Sequence, residues 1–302
     1  MNTRAPLVSI VAAGFLCTAA IAQVTMTATA NAFEATGNSI PAGTDVTSGT
    51  VVSGGPSLVQ FQSARTSAAL TAQLRSNIFV PSPMGGHPAY WTTSEVDLAL
   101  TSAVPIPVDV VVAFDLSGAL LGAGGSVLAS VAGEGTADAA NPTLAFSTTL
   151  DATGIVIDLD MSSFAGAVPS GQFSFVSYEL IANVTVTPTN FATSYGDTCG
   201  VTLEATASLD APQHTITIAD PTASYGILVI GTQQAVIPLS IFIASWTCTL
   251  RTDILVSIPV PVGPPSGSFS FPFGPPPGTF TMQALTVAST NVNTSNGLEF
   301  VR

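Results

Sequence analysis

The chain has 302 residues, of which 47% are apolar and 8% are charged, and its 18 acidic residues outnumber five basic ones, all of them arginine. Such an apolar fraction supplies a hydrophobic core, so an intrinsically disordered chain is excluded, and the length suits two domains. A formal net charge of −13 repels phosphate groups, which disfavours nucleic acids and anionic membrane surfaces as partners.

The N-terminus has the order of a secretory signal peptide. Arg4 precedes an apolar run that ends at Cys17, and the sequence A-I-A at 20–22 supplies the small residues that signal peptidase requires. We therefore predict a signal peptide over 1–22 and a mature chain that begins at Gln23, secreted or periplasmic in a bacterium. The apolar run is shorter than the roughly 20 residues of a spanning helix, so no transmembrane segment is expected in the mature chain. A lipid anchor on Cys17 is the alternative.

Small apolar and polar residues alternate along the first part of the mature chain, which is the pattern of half-buried strands. The alternation is clearest in Trp91–Leu100 and Val108–Leu116, and it is longest in Gln172–Thr187. We predict an antiparallel β-sandwich of about nine strands over 23–190, with jelly-roll-like connections. The other predicted strands of this region are Val24–Phe33, Ser57–Ala64, Ala68–Val80, Ser126–Gly133, Leu144–Leu150 and Ile155–Met161.

The alternation resumes after a polar connection, and residues 191–302 are predicted to form a second antiparallel sandwich. The chain is then all-β, with two sandwiches in tandem. The segment Pro259–Gly278 is dense in proline and glycine, which predicts a stiff loop beside a short edge strand. The predicted strands of this region are Val201–Leu209, Thr215–Ala219, Tyr225–Ile230, Val236–Ile243, Thr247–Ile258, Phe269–Phe273, Phe280–Ala288 and Leu298–Val301.

Four short motifs in the second region form a pattern. They are Y-G-D-T-C-G at 195–200, W-T-C-T-L at 246–250, F-T-M-Q-A at 280–284 and S-N-G-L at 295–298. Together they resemble a C-terminal β-domain that recurs on exported proteins of planctomycete-type bacteria. The resemblance covers the chain from Tyr195 onward, and it implies export and an all-β C-terminal region. It implies no activity and no catalytic residues, because none is established for that family.

Cleavage of the signal peptide would remove Cys17 and leave two cysteines, Cys199 and Cys248. Export places both in an oxidising compartment, where two is the smallest even number of thiols that leaves none free. We predict a disulfide between them, with two buried, unpaired cysteines as the alternative. Trp246 lies two residues before Cys248, so we expect its ring to pack over the bridge.

A group of carboxylates provides candidate metal ligands. A hairpin of Trp91–Leu100 and Val108–Leu116 would place four of them on the face opposite the core, with diagonal partners roughly 7–8 Å apart. These four are Glu95, Asp97, Asp109 and Asp115. Carboxylate oxygens suit Ca²⁺, but we favour a solvated acidic face, because calcium sites of sandwiches are usually built on loops. No cofactor is therefore expected. Asp158 and Asp160 share a strand face and are interpreted as solvent-side residues.

Tyr90 and Trp91 are candidate stacking residues for a sugar, of which only one can face outward because adjacent strand residues point to opposite faces. His87 and His214 are interpreted as loop histidines, and the sequence contains no G-x-S-x-G, H-E-x-x-H or glycine-rich phosphate motif. We therefore expect a non-enzymatic, exported structural, cell-surface or adhesive protein. The sequence does not identify its partner, for which a surface glycan and another exported protein are the candidates. A carbohydrate- or calcium-binding module is the alternative. A glycoside hydrolase, which needs two carboxyl groups about 5–9.5 Å apart, is a more distant one.

Overall fold

The computed structural model describes residues 24–35, 38–40, 44–45, 57–83, 86–117, 123–171, 173–210, 213–262, 267–288 and 291–302. The predicted signal peptide at 1–22 and Cys17 lie outside these residues. Within them, no helix has the length and apolar character that crossing a membrane requires.

The first region consists of short and long strands without a helix in its described residues. The strands are β1 (Val24–Ala35), β2 (Asn38–Ile40), β3 (Thr44–Asp45), β4 (Ser57–Arg65), β5 (Leu70–Pro83), β6 (Tyr90–Ser102), β7 (Ile106–Ser117), β8 (Ala123–Val131), β9 (Gly135–Asp138), β10 (Thr143–Leu150), β11 (Ile155–Ala165) and β12 (Phe173–Pro188).

These strands form two antiparallel sheets that face each other. Sheet I has the order β2-β1-β6-β11-β8-β9, with β3 also paired to β1, and sheet II has the order β10-β7-β12-β5-β4. The inward side chains of both sheets share one core, in which Leu98 of sheet I and Val110 of sheet II are fully buried. From β5 to β12 every connection except β8 to β9 crosses between the sheets, as in jelly-roll-like sandwiches. The predicted all-β sandwich is confirmed.

The predicted hairpin between Trp91–Leu100 and Val108–Leu116 is wrong. β6 pairs with β1 and β11 in sheet I, whereas β7 pairs with β10 and β12 in sheet II. Both strands bury the face that the sequence predicts. The alternation of apolar residues shows which face of a strand is buried, but it does not show which strand lies alongside. The link at 103–105 carries the chain from one sheet to the other instead of reversing it within a sheet.

The second region is also antiparallel β-structure, with one short 3-10 helix among its described residues. Its elements are β13 (Ala192–Tyr195), β14 (Thr202–Ala207), β15 (His214–Ala219), β16 (Tyr225–Gly231), β17 (Gln234–Pro238), the 3-10 helix Leu239–Ile241, β18 (Thr249–Thr252), β19 (Val256–Val260), β20 (Ser268–Phe273), β21 (Thr279–Ala288) and β22 (Asn291–Val301).

Sheet III, in the order β13-β22-β21-β16-β19, packs against sheet IV, in the order β14-β15-β20, and β17 pairs with β18 alone. Their shared core includes Leu203, Ile216 and Phe300. β20 is an edge strand of sheet IV, as the sequence predicts for Pro259–Gly278. The predicted strand Val236–Ile243 is too long, because the chain turns into the 3-10 helix after Pro238.

Leu209 connects the two regions. Its side chain is fully buried in the core between sheets I and II, its N–H donates to the carbonyl of Ser67 at 2.7 Å, and its carbonyl accepts from Val24 N–H at 3.2 Å. Beside it, Arg65 and Asp210 form an ion pair at 2.5 Å. Among the described strands, no sheet combines strands from both sides of residue 190, where the sequence predicts a domain boundary.

Candidate functional site

The four predicted metal ligands lie on two different sheets. Glu95 and Asp97 are on β6 in sheet I, and Asp109 and Asp115 are on β7 in sheet II. Asp109 accepts hydrogen bonds from Ser147 Oγ at 2.6 Å and from Thr189 Oγ1 at 3.2 Å. The sequence-based grouping therefore fails, because it depended on the hairpin that does not form.

The structure brings a different set of carboxylates together. On the outer face of sheet I, Asp97 lies directly across from Asp158, and Glu95 lies directly across from Asp160. Such cross-strand partners have Cβ atoms roughly 4.5–5.5 Å apart, and like charges at that spacing repel. Asp158 and Asp160 are therefore more than isolated solvent-side residues. The sequence could not reveal this, because the pairing of β11 with β6 is a long-range choice.

The pKa values of both aspartates reflect this crowding. Burial and the charges of Asp160 and Asp97 raise the pKa of Asp158 above its usual value. Burial and the charges of Glu95 and Asp97 raise the pKa of Asp160. One oxygen of Asp158, Oδ1, is buried without a hydrogen-bond partner. In the described part of the chain, no three His, Cys, Asp or Glu side chains have a geometry that would hold a metal ion.

The two predicted stacking residues, Tyr90 and Trp91, point to opposite faces of β6, as expected of neighbours on a strand. Tyr90 faces inward and packs against Ile78 and Val80. Trp91 faces outward, half-buried, directly across from Phe164 on β11. Phe164 is 49% exposed. Phe164 was not a predicted site residue, because the strand predicted at Ile155–Met161 ends before it, whereas β11 continues to Ala165.

These residues form a continuous band on the outer face of sheet I, which we call the aromatic-acidic strip. It consists of three cross-strand pairs in register, Trp91 with Phe164, Thr93 with Ser162, and Glu95 with Asp160. The aromatic pair offers an apolar surface, while the hydroxyl and carboxylate groups beside it can hydrogen-bond to a ligand. A surface that combines both suits a ligand with apolar faces and many hydroxyl groups.

The predicted disulfide is confirmed. Cys199 and Cys248 are bonded, with their Cα atoms 5.9 Å apart. Trp246 packs beside Cys248 and Leu239 in a small cluster, as expected. The bridge connects the start of the second region, after β13, to the β17–β18 pair, so its role is structural.

The two histidines differ in environment. His87 lies in a short segment that bridges to Val168, as expected of a loop histidine. His214 instead begins β15 and is fully buried between Phe191 and Phe300, so the loop interpretation is wrong there. Burial, with a smaller contribution from the positive charge of Arg302, lowers the pKa of His214 to about 4.

Comparisons with known proteins add little. No protein family matches the chain, and no curated protein is similar to it. Among solved structures, the chain is similar to the glycoside hydrolase domain of Endo-D from Streptococcus pneumoniae R6, with 9% sequence identity and a TM-score of 0.17. The match covers 81% of this chain but 37% of that one, so the chain spans well under half of its length. A similarity of this strength carries no argument about fold or activity.

Proposed function

We propose that the protein is an exported, non-enzymatic surface protein with an adhesive role, and that it adheres to carbohydrate through the aromatic-acidic strip. One observation supports this proposal above the others, namely that Trp91 and Phe164 lie side by side on an exposed sheet face, next to Glu95 and Asp160. Phe164 is 49% exposed and Trp91 beside it is half-buried, so the pair leaves aromatic surface open to a ligand.

Export is part of the proposal and has two supports. The sequence at 1–22 has the order of a signal peptide, and the disulfide between Cys199 and Cys248 is typical of proteins in oxidising compartments. The resemblance of the chain from Tyr195 onward to a β-domain of exported planctomycete-type proteins agrees with this location.

A glycan array tests the adhesive function. We expect the mature protein to bind a subset of glycans, with or without Ca²⁺, and Phe164→Ala to weaken that binding. Phe79→Ala is the matched control, because Phe79 is also an exposed strand phenylalanine, 46% exposed, but lies on sheet II. Binding to no glycan would contradict the proposal, and so would equal binding by the two variants.

Glycoside hydrolysis is a second candidate, favoured by one observation. Asp160 lies directly across from Glu95, its pKa is raised by burial and by the charges of Glu95 and Asp97, and glycosidases use two carboxyl groups of which the acid has a raised pKa. A panel of chromogenic glycosides distinguishes the candidates. Turnover that Asp160→Asn abolishes would replace the non-enzymatic proposal, and we expect none.

A further inference from the structure

The outer face of sheet II carries a row of side-chain amides that crosses three strands. Gln62 on β4, Gln73 on β5 and Asn183 on β12 are cross-strand neighbours in register. Gln62 Nε2 donates to Gln73 Oε1 at 2.8 Å, and Gln73 Nε2 donates to Asn183 Oδ1 at 2.9 Å. Because each amide in the chain orients the next, the row presents fixed donors and acceptors instead of mobile ones.

A groove runs beside this amide row. The next residues on the same face are Ala64, Thr71 and Thr185, which are shorter than the amides and also lie in register. The difference in side-chain length leaves an open cavity of about 470 Å³, with the amide row as one wall. Three strands about 4.8 Å apart give the row a length of roughly 10 Å, comparable to a disaccharide.

The charges around the groove limit what can occupy it. Arg75, which lies beside the row on β5, is paired with Glu179, and the chain as a whole carries a net charge of −13. A polyanionic ligand would be repelled by this net charge, and the residues that line the groove include no carboxylate that would bind a cationic one. Gln62 and Gln73 each donate one N–H within the row, and Asn183 accepts at its end. One N–H of each glutamine and the NH₂ group of Asn183 are therefore not used within the row and can donate to a ligand. Paired hydroxyl groups of an uncharged sugar match such amides.

We infer that the groove beside Gln62, Gln73 and Asn183 is a second carbohydrate site, which binds an uncharged saccharide chain. It lies on sheet II, on the opposite side of the sandwich from the aromatic-acidic strip of sheet I. Two sites on opposite faces make the protein bivalent, so it can connect two saccharide chains and gain avidity. The inference does not depend on the strip, because the groove shares no residue with it.

Affinity electrophoresis of the mature protein tests the site. The Phe164→Ala background is used so that the strip contributes little, and the gels contain xylan, glucomannan, mixed-linkage β-glucan or dextran, with polygalacturonate as the anionic comparison. We expect at least one neutral polysaccharide to retard the Phe164→Ala protein. Adding Gln73→Ala, which removes both hydrogen bonds of the row, should lower the association constant by about tenfold or more.

Two further variants make the test specific. Thr185→Phe leaves the amide row intact but fills the groove, so it should also abolish retardation. Gln233→Ala removes an exposed glutamine from the second region and should change nothing. Thermal unfolding confirms that each variant is folded. The inference is overturned if only polygalacturonate retards the protein, if no neutral polysaccharide does, or if Gln73→Ala and Gln233→Ala behave alike. Any of these results leaves the glycan-array test of the strip unaffected.

Discussion

The ring of Tyr195 lies against the backbone of Gly297, its cross-strand partner in sheet III. A Cβ atom added to Gly297 would collide with Cζ and both Cε atoms of that ring. The Tyr195 hydroxyl donates to the carbonyl of Arg251 at 3.1 Å, so the ring is also held at its far end. An aromatic side chain that covers a strand glycine is a known way to stabilise a sheet.

Asn296, the residue before Gly297, hydrogen-bonds to the edge of sheet IV. The side-chain amide of Asn296 donates to the carbonyl of Leu203 at 2.9 Å, and its oxygen accepts from Leu203 N–H at 3.1 Å. The Asn296 side chain therefore satisfies the backbone N–H and carbonyl of Leu203, as a neighbouring strand would do at the edge of the sheet. Tyr195, Asn296 and Gly297 thus have structural roles in the second region.

Gly297→Ala should destabilise the second region, because the added methyl group collides with a ring that hydrogen bonds and packing hold in place. Overpacking of this kind costs about 1–3 kcal/mol. Urea unfolding measures the loss. Gly124→Ala is the matched control, since a Cβ there meets no atom within 4 Å. Equal stability of the two variants would contradict the packing argument.

Reduction of the disulfide should destabilise the second region alone. The bridge closes a loop with a sequence separation of 49, for which the chain-entropy model gives about 4 kcal/mol. Calorimetry with and without a reductant should show a lower transition temperature for the second region. Residues 23–190 contain no cysteine, so a transition assigned to the first region serves as the internal control. A scan unchanged by the reductant would show that the bridge contributes no stability.

Asp158→Asn should stabilise the protein at neutral pH. Because burial, Asp160 and Asp97 raise the pKa of Asp158, the folded state binds its proton more tightly than the unfolded state does. This contribution favours folding at low pH and is lost as the pH rises through the raised pKa. The gain in melting temperature should therefore be present at pH 7, shrink as the pH falls below the raised pKa, and be absent below the ordinary value of 3.8.

Two comparisons complete the Asp158 experiment. Asp115→Asn changes an exposed carboxylate on sheet II and should have little effect. The melting temperature is also measured with Ca²⁺. A rise that Asp97→Asn abolishes would show that the acidic pairs hold a cation, and that charge repulsion is the wrong account of them.

His214 should make stability depend on pH between about 4 and 6.5. Its folded pKa of about 4 is below the ordinary 6.5, so its contribution is complete above 6.5 and is lost as the pH falls towards 4. The loss is at most about 3 kcal/mol for the full shift. His214→Gln, which does not titrate, should flatten the dependence measured by urea unfolding. His87→Gln, in a loop segment, should leave it unchanged. An equal slope in all three proteins would show that His214 is not the responsible group.

Much of the architecture follows from the sequence. A strand that buries one face has apolar residues at every second position, because successive side chains point to opposite faces. The alternation predicted nearly every long strand, and the cysteine count predicted the bridge between Cys199 and Cys248. The alternation can be seen in successive residues of one strand. The bridge follows from a count, because only two thiols would remain after export.

The tertiary structure decided which strands lie side by side. The same alternation in β6 and β7 allows a hairpin or two opposed sheets, and the two arrangements bury the same side chains. Only the pairing of β6 with β11 places Trp91 beside Phe164 and Glu95 beside Asp160, and only the order β4, β5, β12 aligns Gln62, Gln73 and Asn183. Both candidate sites are built from residues far apart in the chain, so they exist only once the sheets have formed.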